Sequence, residues 1–206
     1  MGLVYSFGYL IPFLILLKIL YLKEFKDERL AVALWVFHVF FTIFGGKLVY
    51  ILFHDKDLMA FFSPYGYMGI GIVLFAYFYL FMIGMIFKKD PIRLWDKLSL
   101  LAPLGIFIIR LGNILNKEVE GLINYATIEI VSSLLMMVLL YKYEFLRKNI
   151  TLFVFFFYYA TRLLITEPIR GVKFFSVNYA YAILFAIICL STYFFVYKLR
   201  KKALFS

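Results

Sequence analysis

The sequence has little cysteine, little histidine and few acidic residues. Its one cysteine, Cys189, excludes an internal disulfide and any metal site built from several cysteines. Twelve acidic residues face 22 lysines and arginines, which gives a formal net charge of +10. These basic residues stand in short clusters between apolar runs, a pattern typical of membrane-protein loops. We therefore expect a membrane as partner and no nucleic acid.

Apolar residues dominate what is present. The chain is 65% hydrophobic and 22% aromatic, whereas soluble domains are about 45–50% apolar. A helix needs roughly 20 apolar residues to cross a bilayer, and seven stretches qualify: 3–21, 30–53, 66–87, 98–115, 126–142, 149–167 and 178–198. The runs are continuous rather than alternating, which favours helices over a barrel. The sequence thus predicts an all-α polytopic membrane protein, a bundle of seven transmembrane helices forming one domain over residues 1–206.

The distribution of lysine and arginine predicts the orientation. They concentrate in the loops after spans one, three and five and in the C-terminal tail, and they are sparse in the intervening loops. Because such residues stay on the cytoplasmic side, the N-terminus is predicted outside and the C-terminus inside. The expected location is the cell membrane, crossed several times.

Unusual polar residues gather where spans two to six reach the predicted outer face. Arg110, Asn113 and Asn116 recur every three residues, so a helix would place them in one stripe. Tyr158 and Arg162 share a face, and Glu167 would lie beside Arg170 if the helix continues past Pro168. Three further polar residues belong to this set: Lys47 in span two, Glu118 after span four and Glu129 about one turn into span five. Gly121 follows Glu118 in the same segment.

These residues have two interpretations. An arginine at membrane depth costs roughly 2.5–3.5 kcal/mol on insertion scales, so it persists where it faces a protein interior or a wet cavity. Guanidinium groups bind phosphate through paired hydrogen bonds, which favours a cavity for a phospholipid headgroup that opens to the outer leaflet. Alternatively, Arg110 and Arg162 pair with Glu118, Glu129 or Glu167 only to hold the bundle together.

Two other features favour structural roles. The glycines of the pairs Gly45-Gly46 and Gly69-x-Gly71 are more typical of close helix packing than of a ligand site. His38 lies in the middle of span two and is interpreted as a hydrogen-bonded core residue.

The span-four segment Arg110-Leu-Gly-Asn113-x-x-Asn116-x-Glu118-x-x-Gly121 resembles the signature of the prolipoprotein diacylglyceryl transferase family. Further similar elements follow the family's order along the chain: Phe7-Gly8-Tyr9, Gly45-Gly46-Lys47 continuing to Phe53, Glu129, and Tyr158-x-x-x-Arg162 followed by Glu167-x-x-Arg170. The resemblance covers nearly the whole chain.

The resemblance implies a phospholipid-dependent transferase that moves a diacylglyceryl group from phosphatidylglycerol to the lipobox cysteine of a preprotein signal peptide. It implies no metal and no soluble cofactor. Arg110 and Arg162 are implied as catalytic residues that contact phosphate, and Tyr65, His54 or Glu118 is expected near the position of the base. The implied substrate-binding residues are Asn113, Asn116, Gly121, Glu129, Tyr158, Glu167, Arg170 and Lys47.

The chain departs from the family pattern in several places. No histidine stands at Tyr65-Gly66-Tyr67, where the family has one, and an extra residue separates Arg162 from Glu167. The stretch between Gly121 and Glu129 is too short for the family's external head region, so the chain resembles a compact, divergent member. Two alternatives stay open: transfer from the same donor to another lipid or a small alcohol, and a non-catalytic lipid-binding or transport bundle. The one-sided placement of the charges disfavours transport.

Overall fold

The computed structural model describes residues 2–53, 59, 69–115, 119, 121 and 124–171, together with isolated positions between 183 and 198. In these residues the regular structure is helical and includes no strand, which confirms the all-α prediction. The helices are α1 (Gly2–Glu24), α2 (Glu28–Phe53), α3 (Gly69–Ile86), α4 (Pro91–Leu115), α5 (Tyr125–Lys142), α6 (Glu144–Arg147), α7 (Ile150–Thr161) and α8 (Glu167–Ile169). A π-helical turn, Arg162–Thr166, joins α7 to α8.

Four helical stretches in the described part of the chain are long and apolar enough to cross a membrane. They are Glu28–Leu52, Pro91–Leu115, Tyr125–Lys142 and Ile150–Ile169, and Gly71–Ile86 is a shorter apolar helix. The chain is therefore a membrane-integral protein. The count of seven spans and the orientation of the termini stay predictions.

Helix α4 begins earlier than its predicted span. Asp90 Oδ1 accepts a hydrogen bond from the backbone nitrogen of Ile92 at 3.0 Å, and Pro91 occupies the first helical position. An acidic cap followed by proline is a favourable helix start. Arg93 and Lys97, which the sequence assigned to a loop, consequently lie on the first turns of α4.

The chain divides into two compact units, and the first comprises residues 1–16 and 96–188. Within it, hydrogen bonds hold α7 against α4 and α5. Asp96 Oδ1 accepts from Thr151 Oγ1 at 2.6 Å and from Thr151 N at 3.0 Å, so an aspartate of α4 caps the first turn of α7. Further along, the Ser132 and Thr161 hydroxyls lie 3.1 Å apart, which links α5 to the last turn of α7.

An apolar core fills the space between these polar contacts. Met136, Leu140 and Val154 are buried, and Ala102 and Ile106 of α4 pack against them. Ser99 of α4 is also buried and donates a hydrogen bond to Thr151 at 3.2 Å. These contacts hold α4, α5 and α7 together, and the charged residues described below lie near the end of α4, near the start of α5 and directly after α7.

The second unit comprises residues 17–95 and 189–206. Here α2 and α3 pack closely, since a Cβ atom added at Gly71 would overlap the carbonyl oxygen of Gly45. This confirms the packing interpretation for these two glycines. His38 is buried, its Nδ1 lies 2.8 Å from the Tyr21 hydroxyl, and its ring stacks on Tyr79. The prediction of a hydrogen-bonded core histidine is confirmed.

Candidate active site: three arginines and two glutamates

Three arginines and two glutamates come together in the first unit. We call these five residues the arginine cluster: Arg110, Glu129, Arg162, Glu167 and Arg170. Arg110 lies near the end of α4 and Glu129 on the second turn of α5, whereas the other three belong to the segment after α7. Sequence elements far apart in the chain thus supply one charged site.

Arg110 is bound on two sides. Its Nε donates to Glu129 Oε2 at 2.6 Å, and its Nη1 donates to Asn113 Oδ1 at 3.0 Å. The Glu129 side chain is only 3% exposed. The contact with Asn113 confirms the part of the predicted stripe that the structure describes, and the ion pair is one of the pairings that the sequence left open.

Glu167 is shared between two arginines. Its Oε1 accepts from Arg162 Nε at 2.8 Å and from Arg170 Nη1 at 3.2 Å. The Tyr158 hydroxyl accepts from Arg162 Nη1 at 3.3 Å, as the four-residue spacing predicted. The helix continues through Pro168, so Glu167 and Arg170 are neighbours.

The π-helical turn explains how Glu167 reaches Arg162. Residues five apart point about 140° away from each other around an α-helix of 3.6 residues per turn. In the π turn the backbone nitrogen of Glu167 instead donates to the carbonyl of Arg162, five residues back, which brings the two residues onto one face. The extra residue that distinguishes this chain from the family pattern is therefore absorbed by one wide turn. Thr166 is fully buried and supports that turn by donating from Oγ1 to the same carbonyl at 3.1 Å.

Tyr125 joins the two halves of the cluster. The guanidinium carbon of Arg110 lies 5.2 Å from the centre of its ring, and that of Arg170 lies 4.9 Å from it. Both distances are within the range of cation–π attraction. Tyr125 was missed by sequence reasoning, although it stands four residues before Glu129 and so on the same face of α5.

The remaining predicted site residues are placed as follows. Lys47 lies on α2 in the second unit and is 2% exposed. Gly121 has a φ of 80°, and its carbonyl accepts from Asn124 Nδ2 at 2.6 Å. Asn124 in turn caps α5 by accepting from the backbone nitrogen of Thr127 at 3.0 Å, so Gly121 shapes the turn that positions Tyr125 and Glu129. His54, Tyr65, Asn116 and Glu118 lie outside the described residues.

The cluster carries a net positive charge and spare hydrogen-bond donors. Three guanidinium groups and two carboxylates leave one positive charge. Each guanidinium has five N–H groups, and within the described part of the chain five of their donors in total are taken, by Glu129, Asn113, Glu167 and Tyr158. The Arg110, Arg162 and Arg170 side chains are 19%, 24% and 41% exposed. The arrangement can therefore accept one anionic oxygen-bearing group.

Acidic and histidine residues offer no alternative metal centre in the ranges that the structure describes. No group of three or more histidine, cysteine, aspartate or glutamate side chains is arranged there to hold a metal ion. The arginine cluster can position an anion and stabilise it electrostatically.

Fold and site together define a membrane-integral helical protein with a partly buried cluster of arginines and glutamates. Residues 1–200 match the model of the prolipoprotein diacylglyceryl transferase family. Because this match covers nearly all of the 206 residues, the chain belongs to that family and is an enzyme of the diacylglyceryl transferase type. Comparisons with curated proteins and with solved structures gave no match.

Proposed function

We propose that this enzyme transfers the diacylglyceryl group of phosphatidylglycerol to the cysteine thiol of a lipobox peptide. The sulfur–carbon bond of a thioether forms while the carbon–oxygen bond to the phosphate breaks, and glycerol phosphate leaves. The thiol gives up its proton in the same reaction. The observation that carries the proposal is the arginine cluster, with its single net positive charge.

The charge of the cluster suits this donor. The phosphodiester of phosphatidylglycerol carries one negative charge, and the departing phosphate monoester gains more. Groups that are fixed before the reaction and aimed at developing charge stabilise the transition state without reorganising. Glu129, Glu167 and Tyr125 fix the guanidinium groups in this way, because each glutamate accepts from one or two arginines and the ring attracts two of them.

The proposed roles follow from these contacts. Arg110, Arg162 and Arg170 bind the phosphate, while Glu129 and Glu167 orient them. Asn113 and Tyr158 hold one guanidinium each and can also meet the glycerol hydroxyls. Tyr65, His54 and Glu118 stay candidates for the proton acceptor on the strength of the sequence. Asn116, Gly121 and Lys47 are proposed as further substrate contacts. The predicted topology places the site at the outer leaflet of the cell membrane, where the signal peptide of an exported preprotein arrives.

The test is a transfer reaction with purified full-length protein, phosphatidylglycerol labelled in the lipid and in the headgroup, and a lipobox peptide. We expect thioether product and glycerol phosphate in equal amounts. A peptide with serine in place of the cysteine is the matched control and should give neither. Release of glycerol phosphate without peptide would show a different acceptor, and lipid binding without any release would show a non-catalytic bundle. Either result would contradict the proposal.

A further inference from the structure

A second charged region lies in the other unit, where the loops after α1 and α3 meet. Its cavity of about 340 Å³ is lined by two carboxylates and five cations, so its net charge is +3. We call it the basic pocket, defined by its cations Lys23, Lys26, Lys88, Lys89 and Arg93. Its size is within the usual range for a small-ligand site, about 300–1,000 Å³.

Both carboxylates of the pocket, Glu24 and Asp90, contact other groups of the protein. The Glu24 side chain is 7% exposed, and its Oε1 lies 3.8 Å from Arg93 Nη2. Asp90 caps α4 through the backbone nitrogen of Ile92. The carboxylates therefore brace the pocket and leave its positive charge in excess.

Lys88 adopts a backbone conformation that is costly for lysine. Its φ is 52°, and the end of α3 closes through hydrogen bonds from Lys89 N to the Gly84 carbonyl at 2.8 Å and from Lys88 N to the Met85 carbonyl at 3.4 Å. This pattern is the Schellman motif, in which the left-handed position is normally glycine. A Cβ atom is sterically unfavourable in this conformation. The unfavourable conformation of Lys88 therefore indicates a function for its charged side chain.

The neighbouring lysine, Lys89, also contacts another side chain. Lys89 Nζ lies 5.7 Å from the centre of the Phe25 ring. That ring is buried and packs edge-on against Phe87. A fixed aromatic face thus holds one of the cations at the cavity.

An apolar surface adjoins the pocket. Met85 and Ile86, in the last turn of α3, are 59% and 66% exposed. In a membrane-integral protein this surface faces acyl chains, and the cations lie just beyond it. Basic pockets at the cytoplasmic ends of transmembrane helices suit lipid phosphates, and the lysine distribution predicts that these loops are cytoplasmic.

We propose that the basic pocket binds the phosphate headgroup of an anionic phospholipid in the leaflet that the lysine distribution predicts to be cytoplasmic. The acyl chains lie along the exposed end of α3, and the headgroup occupies the cavity. This site does not depend on the transfer reaction, because its residues are separate from the arginine cluster.

Lys88→Gly is the sharpest variant for the test. Glycine removes the charge and relieves the backbone strain, so we expect a higher melting temperature together with weaker lipid binding. Misfolding cannot imitate that combination. Lys148→Gln, at another exposed lysine in a loop predicted on the same face, is the matched control.

Binding is measured with full-length protein in nanodiscs of phosphatidylcholine that contain a few per cent of fluorescent phosphatidylserine, an anionic phospholipid that is not the proposed donor of the transfer reaction. We expect Lys88→Gly to lower the affinity about fivefold, since one basic residue near an anionic surface contributes about 1 kcal/mol. Lys148→Gln should leave the affinity unchanged. Equal losses in both variants, or no loss in Lys88→Gly, would overturn the proposal. So would equally tight binding of soluble glycerol phosphate, which would assign the pocket to a free phosphate instead.

Discussion

The arginine cluster and the basic pocket are both positively charged, but they are built in different ways. Each arginine of the cluster contacts a carboxylate within 3.2 Å, and two of the three also lie over the Tyr125 ring. The lysines of the pocket are exposed, and the ion pair between Arg93 and Glu24 is longer, at 3.8 Å. Planar guanidinium groups in fixed positions suit a reaction in which charge develops at one place, whereas ammonium groups on flexible stems suit reversible binding of a headgroup. This difference is the one we expect if, as proposed, the cluster serves catalysis and the pocket serves binding.

Removing one arginine from the cluster should have the largest effect. Arg162→Ala is cleaner than Arg110→Ala, because Glu167 keeps Arg170 as a partner, whereas Glu129 would be left buried without its arginine. We expect Arg162→Ala to lower the rate of transfer by about 10²–10³-fold, the usual loss for one fixed donor at developing charge. The measurement is thioether formation with the lipobox peptide.

The control for this prediction is Arg147→Ala, at an exposed arginine of α6. It should retain the wild-type rate. An Arg162→Ala enzyme that transfers at the wild-type rate would reduce the cluster to a structural ion-pair network.

The π-helical turn gives the next largest effect. Deletion of Leu164, which is 67% exposed within that turn, shortens the step from Arg162 to Glu167 to four residues, the spacing of an ordinary α-helix. The ion pair should survive, and the enzyme should keep its rate within about tenfold, because one wide turn becomes one regular turn.

Deletion of Phe156, an exposed residue of α7, is the matched control. It rotates the preceding part of the helix by about 100° relative to the cluster, so transfer should be lost. Both variants are compared by transfer rate and melting temperature. Equal damage from the two deletions would show that the π turn does not set the register of the cluster.

Replacement of the Tyr125 ring should have a moderate effect on the transfer rate. Tyr125→Phe keeps the ring face and should retain near wild-type activity, while Tyr125→Leu loses two cation–π contacts. A loss of roughly tenfold in transfer is expected from contacts that contribute about 0.5–2 kcal/mol each. The saturation behaviour distinguishes the roles, since disordered phosphate-binding groups raise the KM for phosphatidylglycerol. A leucine variant with unchanged kinetics would contradict the role of Tyr125.

Raising the salt concentration should have the smallest effect, and it compares the basic pocket and the arginine cluster directly. The screening length falls from about 10 Å at 0.1 M to about 3 Å at 1 M. Raising sodium chloride across this range should weaken lipid binding at the basic pocket several-fold and change the transfer rate less, because partly buried pairs are screened less. The two readouts are the nanodisc affinity and the transfer rate of the same preparation. Equal salt dependence of the affinity and of the transfer rate would contradict the proposed difference between the two regions.

Sequence spacing predicted the contacts that follow ordinary helical geometry. Arg110 with Asn113 and Tyr158 with Arg162 are three and four residues apart, and both pairs are in contact. The pair Arg162 and Glu167 could not be placed by this reasoning, because their spacing of five residues fits only a π turn. The choice between Glu118, Glu129 and Glu167 as partner of Arg110 also required the fold, since it depends on which helices are neighbours.

Other features were beyond the reach of periodicity for different reasons. Helix α4 begins early because an aspartate caps it and a proline occupies its first position. The charges of Arg93 and Lys97 had instead indicated a loop. Tyr125 contacts two arginines that belong to two other chain segments, and periodicity within one helix cannot predict such contacts. Close helix packing at Gly45 and Gly71, by contrast, was predictable because small residues have few other uses in apolar helices.

The most direct test of the central claim changes the charge of the donor instead of the protein. A phosphatidylglycerol analogue with a neutral methylphosphonate in place of the phosphodiester removes the charge that the arginine cluster is proposed to bind. The wild-type enzyme should transfer from this analogue about 10²–10³-fold more slowly than from phosphatidylglycerol. Arg162→Ala should discriminate far less, since a substitution in each partner of one contact is not additive. Equal discrimination by the wild type and by Arg162→Ala would show that the cluster does not act on the phosphate.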